Sequence, residues 1–398
     1  MRLSIIFTEY LHYHVARCQA LWQTATSQGH QVHLWSLRAA APELPASGYH
    51  EQLRDKVKLI APSASLQPNS HEAARMTYRC ADEVRPDAIL IPGYATRYAR
   101  ALLRWCHHHG AGAVLMSESR AADFARQRWR ESLKGVLVRQ FDAALVGGQP
   151  HQRYLEGLGM PAQAIFDRYD VVDNAYWSTQ TDRARQEAAT WRARLGLTTP
   201  YFMTANRFVE KKNLRRLVGA YARYRAAVAQ PWSLVLAGSG PLEAEIRQAV
   251  AAHGLEDSVL LPGYLPTEQL VPYFALAEAF IHPSHHAEQW GLVVNEAMAA
   301  ALPVLVSKTV GCVEDLLLPQ VTGFTFDPFS EAAMADAMML LSALSAAERA
   351  RMGRCGREHI SAFSPQTFAE NALAAAEMAR ARQANRGRPA AWPSLLWW

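Results

Sequence analysis

A chain of 398 residues, half of them hydrophobic, is long enough for two domains of ordinary size, each with its own core. It has no run of about 18 apolar residues to span a membrane, and Cys18, Cys80, Cys106, Cys312 and Cys355 are scattered, with no metal-ligand spacing, which points to a reducing cytoplasm. The net charge of +5 falls mostly in residues 1–176, and with no nucleic-acid motif beside it a nucleic-acid partner is not expected.

In chain order, Leu3–Phe7, Gln31–Trp35, Ala88–Ile91, Ala113–Met116 and Ala143–Val146 are short apolar runs, each followed by helix-like sequence. Strands alternating with helices predict βαβ units and a parallel sheet. The apolar part of the N-terminus is too short for a signal peptide and reads as a buried first strand. The turn after it holds His12 and His14, candidates by position alone whose ordinary reading is structural. Ala113–Met116 runs into Ser117-Glu118-Ser119-Arg120, where the Glu118 carboxylate is placed just past a strand end to accept from ligand hydroxyls.

Between Arg120 and Arg139, the cations Arg126, Arg128, Arg130 and Lys134 interleave with Phe124, Trp129, Leu133, Val136 and Leu137. The stretch reads as a basic amphipathic helix. Such a helix either lies on anionic lipid or packs on its own domain and leaves a solvated basic face.

A polar stretch over residues 178–194 breaks the rhythm, and strands resume at Tyr201–Met203, Leu234–Ala237, Val259–Leu261, Ala279–His282, Val304–Val306 and Gly323–Phe326. The expected division is an N-terminal domain 1–177, a linker 178–198 and a C-terminal domain 199–366. A helix 367–386 and a Trp-rich tail 387–398 follow. In such paired α/β sheets, ligand binds at the carboxyl ends of the strands. The tail, Trp392 to Trp398 after Arg386-Gly387-Arg388, suits a membrane interface or a groove on protein equally.

Three loops of the second half carry the chemistry. Arg207 follows the strand Tyr201–Met203, and Glu210-Lys211-Lys212-Asn213 opens the next helix, so cations converge where a diphosphate could leave. Gly238-Ser239-Gly240-Pro241 ends the strand Leu234–Ala237; glycines there let backbone approach a phosphate or ribose, and Pro241 suits a first helical turn. Finally, Pro283 to Pro303 holds two carboxylates, Glu288 and Glu296, around Gln289-Trp290-Gly291-Leu292. Helical spacing from Leu292 places Glu296 in a first turn, whose free N–H groups suit a phosphate, with Glu288 in the loop before it.

Two glutamates at this spacing, set between Ile281-His282-Pro283-Ser284 and Ala301-Leu302-Pro303-Val304, resemble the E-x7-E signature of the retaining glycosyltransferases of family four. The resemblance implies the α/β GT-B fold, in which two Rossmann-like domains face each other across a cleft and a C-terminal helix crosses back to the first. It also implies that Glu288 meets donor-sugar hydroxyls while Glu296 holds the ribose, with Gly291 and Leu292 in the same loop. Arg207 and Lys212 match the family's Arg and Lys, with Lys211 as a stand-in because Asn213 occupies the usual glycine position. Gly238 and Gly240 take the phosphate-side turn, and Gly263 and Tyr264 lie where relatives contact the base. The family's N-terminal His is replaced by the segment containing Glu118. Val171-Val172-Asp173-Asn174 resembles the closing strand of the first domain.

The expected function is therefore metal-independent, retaining transfer of a sugar from a nucleotide-diphosphate sugar to a glycan or lipid-linked acceptor. It needs no cofactor, and it belongs in the cytoplasm or at the inner face of an anionic membrane. A sugar-nucleotide epimerase of the same fold and a non-catalytic nucleotide-binding scaffold are the rival readings.

Overall fold

The computed structural model describes residues 1–39, 53, 55–61, 63–285 and 288–385, with His12 described by its backbone alone. The chain divides into two compact units: Met1–Ala121 with Ala125–Val172 and the residues from Phe363, and Ala122–Phe124 with Asp173–Ala362. Each is built on one parallel sheet.

The first sheet has seven strands, β1 (Arg2–Phe7), β2 (Gln31–Arg38), β3 (Val57–Ala61), β4 (Ala88–Pro92), β5 (Gly112–Ser117), β6 (Ala143–Val146) and β7 (Ile165–Phe166). They lie in the order β3-β2-β1-β4-β5-β6-β7. The central strands are covered on both faces, so they read as unbroken apolar runs: Ile89, Leu90 and Ile91 are fully buried, as are Ala113, Val114 and Leu115. The edge strands were not anticipated, for a physical reason. In β3, Lys58 and Leu59 face solvent, and β7 is two residues long. Val171 and Val172, expected to close this sheet, are buried without being a strand, and Asn174 opens a helix.

The last described helix, Pro365–Asn385, belongs to this first unit and packs on the helix His12–Ser27 and on β4, β5 and β6. Its backbone lies so close to β5 that a Cβ on Gly112 would come 2.7 Å from the Arg380 amide nitrogen. Arg382 donates to the Asp142 carbonyl at 2.8 Å, and Asn371 donates to the Asp167 carbonyl at 3.0 Å. The Trp-rich tail, 387–398, lies outside the described residues.

The second sheet has six strands, β8 (Tyr201–Ala205), β9 (Ser233–Ala237), β10 (Val259–Gly263), β11 (Ala279–His282), β12 (Val304–Ser307) and β13 (Gly323–Phe326), in the order β10-β9-β8-β11-β12-β13. Every strand read from the sequence in this half is present. The polar stretch expected to be a linker is instead two helices, Asn174–Gln186 and Ala188–Leu195, built into this unit. Trp177 packs on Phe274 with ring centroids 4.9 Å apart, and Arg357 grips Asp182 through two hydrogen bonds of 2.7 and 2.9 Å. Of the polar residues that suggested a linker, Asp182 pairs with both Arg185 and Arg357.

Candidate functional site

The order β10-β9-β8-β11 brings the loops after β8, β9, β10 and β11 to one edge of the second sheet, the carboxyl end of its strands. Each loop is held by backbone. The Gly238 amide donates to the Gly263 carbonyl at 2.8 Å, which ties the end of β9 to the end of β10. Gly238 sits at φ 134°, and a Cβ there would lie 1.8 Å from the Asn206 carbonyl oxygen. Only glycine permits that approach. The Phe208 amide donates to the Ser239 carbonyl at 2.8 Å, so the β8 and β9 loops form one platform. Pro241 lies in the turn rather than the helix, which starts at Glu243. Tyr264 follows as an exposed ring.

At the centre stands Glu288, buried in the loop after β11. The Lys212 ammonium donates to its Oε2, the Lys211 ammonium lies 3.7 Å from its Oε1, and His282 Nε2 is 3.9 Å from Oε2. Burial opposes ionisation of this carboxyl, but Lys212, His282 and Lys211 overcome it and hold the pKa at about 2. Burial likewise draws the Lys212 ammonium below its ordinary value, against the pull of Glu288. His282 is fully buried with both ring nitrogens unbonded; burial, then the charge of Lys212, keeps it neutral, with a pKa of about 3. The sequence reading gave His282 no role. Its signal was a polar residue ending a strand whose other positions, Ala279, Phe280 and Ile281, are fully buried and apolar.

Lys212, not Lys211, is the buried member of the pair, with 13% of its side chain exposed against 43%. The reason lies in the next residue. Asn213 adopts φ 58°, the left-handed conformation that glycine and asparagine tolerate. Its Nδ2 donates to the carbonyls of Pro283 at 3.1 Å and Pro328 at 2.7 Å. The side chain thereby fastens the lysine turn to the glutamate loop. The His285 amide donates to the Lys211 carbonyl at 2.9 Å and closes the same seam.

The glutamate loop is braced from its other side. The Gly311 amide donates to the Glu288 carbonyl at 3.1 Å and the Cys312 amide to the Trp290 carbonyl at 3.2 Å. A Cβ on Gly311 would meet the Gln289 carbonyl oxygen at 1.6 Å. Trp290 is buried and donates through Nε1 to Asn295 at 2.9 Å. Gly291, at φ 97°, caps the helix Leu292–Ala299. Glu296 is therefore its fifth residue, in the second turn rather than the first, and is buried.

Arg207 is exposed just past β8. The remaining candidates belong to the first unit. Burial, then the neighbouring Glu118 carboxyl, raises the Asp170 pKa well above the carboxylate range, while Arg17, 3.5 Å away, opposes the shift. Glu118 hydrogen-bonds to Asp170, as two carboxyls that share a proton do. His14 is structural: its ring stacks on Phe7 at 4.0 Å and bonds to the Leu11 amide at 3.1 Å. The side chain of His12 lies outside the described residues.

The family model described as Glycosyl transferases group 1 matches residues 186–359, a span that holds Arg207, Lys212, Gly238, Glu288 and Glu296. The chain is 32% identical over 289 residues to a GDP-mannose-dependent alpha-(1-6)-phosphatidylinositol monomannoside mannosyltransferase of Mycobacterium tuberculosis, covering 70% of this chain and 69% of that one. It is 25% identical to an alpha-D-kanosaminyltransferase of Streptomyces kanamyceticus; that match covers 61% of this chain and about half, 55%, of the relative. Among solved structures, a glycosyltransferase from Rickettsia africae ESF-5 superposes with a TM-score of 0.75 at 12% identity, covering 95% of this chain and 98% of that one. Anabaena Alr3699/HepE in complex with UDP and glucose gives 0.70 at 16%, covering 93% and 97%. These likenesses show the two-sheet α/β fold of the GT-B class.

Proposed function

This chain belongs to the glycosyl transferases group 1, and from that membership we propose that it is a retaining, hexosyl-transferring enzyme whose donor site is the loop cluster around Glu288. The observation that carries the reading is the ion pair of the half-buried Lys212 with the buried Glu288 at the carboxyl edge of the second sheet. A buried ammonium beside a carboxylate that stays ionised can meet both ends of a nucleotide-diphosphate sugar. Lys212, with Arg207, takes the diphosphate; Glu288 accepts hydrogen bonds from sugar hydroxyls. Glu296 accepts from the ribose hydroxyls, and the Gly238–Gly240 turn admits the phosphates against backbone.

In the reaction the bond from the anomeric carbon to the diphosphate oxygen breaks, and a bond from that carbon to the acceptor oxygen forms on the same face. The acceptor proton passes to the departing phosphate oxygen, so no separate protein base is required. Negative charge grows on the diphosphate as it leaves, and Lys212 and Arg207 stabilise it where it grows. These cations supply the charge that a divalent ion would otherwise supply, which makes the reaction metal-independent. The acceptor is a glycan or a lipid-linked sugar, in polysaccharide or glycolipid assembly. None of the five cysteines forms a disulfide, which suits the cytoplasm; we place the enzyme there, at the membrane periphery.

Screening nucleotide-diphosphate sugars for thermal stabilisation identifies the donor, and assays with chelator present then follow turnover. Release of nucleotide diphosphate only when acceptor is added, with the donor's anomeric configuration kept in the product, is the expected result. Conversion of donor without acceptor would instead indicate an epimerase. Binding with no release under any acceptor would indicate a scaffold. Loss of turnover on chelation would overturn the metal-free step.

A further inference from the structure

The helix Arg128–Val138 of the first unit is built inside out. The basic stretch around it is helical only over these residues; Ala121–Asp123 is a short 3-10 turn and the segment from Phe124 to Gln127 is irregular. Its inward side is ionic. The Glu131 carboxylate accepts from Lys134 at 2.8 Å and from the Tyr154 hydroxyl at 2.7 Å, and the Arg126 guanidinium donates to Tyr154 at 2.9 Å. Gly135 and Val138 complete the buried side.

The outward side is apolar. Trp129 is 61% exposed and Leu133, one turn on, is 51% exposed. Val136 and Leu137, both half-buried, continue that stripe at helical spacing. Arg128 and Arg130 are exposed and fall on opposite flanks of the stripe, and the Arg130 guanidinium lies 5.1 Å from the Trp129 ring centroid. A surface helix normally turns its apolar stripe to the core and its charges to water. Here the charges needed to fasten the helix are spent inward, while the stripe left to solvent carries tryptophan and leucine between two arginines. That composition fits a bilayer interface: the indole lies at headgroup depth, the leucine reaches the acyl boundary, and the arginines meet phosphates on both sides.

We propose that this face docks the chain on an anionic phospholipid bilayer, with Trp129 and Leu133 inserted and Arg128 and Arg130 paired to lipid phosphates. A second copy of the chain would gain the apolar contact but would set each pair of arginines against the other. The anionic surface satisfies both features.

The test is flotation of the full chain, without donor or acceptor, on vesicles of phosphatidylcholine alone and of phosphatidylcholine with phosphatidylglycerol, at low and high salt. Binding to the phosphatidylglycerol vesicles that falls with salt is expected. Each arginine contributes about fivefold in partition, about 1 kcal/mol, so Arg128→Ala with Arg130→Ala lowers binding by about 25-fold. Trp129→Ser with Leu133→Ser abolishes it. All four side chains face solvent, so unchanged thermal unfolding of both double variants is expected. Binding that survives both double variants but is lost on truncation after Arg388 would assign lipid contact to the tail and overturn the proposal. Absent binding, or a wild-type dimer that Trp129→Ser with Leu133→Ser converts to monomer, would overturn it as well. Because no substrate is present, the outcome is independent of whether the donor-site reading holds.

Discussion

The Lys212 ammonium rests on the Glu288 carboxylate; the glutamate is buried and the lysine half-buried. The carboxylate has two further neighbours, the Lys211 ammonium at 3.7 Å and His282 Nε2 at 3.9 Å. Under the proposed donor-site reading, a diphosphate entering beside Lys212 would compete with Glu288 for that ammonium and so would couple donor arrival to release of the carboxylate toward the sugar.

Arg207 is exposed just past β8, and in the proposed mechanism it acts on charge that grows in the transition state. Arg207→Ala should therefore lower kcat by roughly 10²–10³ with a smaller change in donor affinity. Steady-state kinetics with a competent donor and acceptor decide it. Near-wild-type turnover would remove Arg207 from the mechanism.

The two glutamates separate by what they touch. In Glu288→Gln the neutral amide loosens Lys212, so affinity for the bare nucleotide diphosphate is kept or raised while turnover falls. In Glu296→Gln the lost charge-assisted bonds to ribose weaken even the bare nucleotide, by roughly 1.5–3 kcal/mol. Calorimetric titration of both variants with nucleotide diphosphate compares them directly. Equal losses would mean that the roles are misassigned.

Acid should destabilise this site through His282 first. Its pKa is about 3 in the fold against 6.5 ordinarily, so as pH falls the unfolded chain takes up the proton before the folded one, and stability is lost below about 6.5. Glu288, held at about 2 against 4.5, adds a loss in the same direction only below about 4.5. Between those ordinary values His282 acts alone of the two, at about 2 kcal/mol. Urea midpoints at pH 6.5 and 4.5 should differ less in His282→Leu than in the wild type by that amount; an unchanged difference would show that His282 is not the group responsible.

Asn213 combines a left-handed backbone with two carbonyl contacts. Asn213→Gly keeps the backbone and loses the contacts, at about 1–3 kcal/mol. Asn213→Ala loses both and should cost about 1 kcal/mol more. Denaturation midpoints of the two variants rank them. Alanine proving the milder change would contradict the conformational account.

The fold was legible wherever strands are buried on both faces, because a run such as Ala279–His282 has no other stable arrangement. The edges were not: β3 exposes Lys58 and Leu59, so its sequence resembles a loop. Polarity misled again at 178–198, where charged residues meet ion-pair partners, such as Arg357, that are distant in sequence. The site was legible as residue types on strand ends, with Glu288, Lys211 and Lys212 brought together as a cluster. The helix starts at Leu292 as its spacing indicates, but Glu296 is its fifth residue and so lies in the second turn, not the first. The inside-out helix was also beyond reach, since periodicity shows that a stripe exists but not which way it points.

The position of the Pro365–Asn385 helix has a consequence for how the molecule is made. A ribosome delivers the chain from its N-terminus, yet the first sheet receives the helix Pro365–Asn385 only after the whole second unit has emerged. The second unit, Asp173 to Ala362 together with Ala122–Phe124 from earlier in the chain, is fully translated before that helix exists. The first unit is thus completed after the second. Until then β5 carries a bare strip beside Gly112, shaped to take a helix backbone at contact distance. A nascent chain stalled before Phe363 should leave that strip open to chaperones and proteases while its later-born neighbour is already closed.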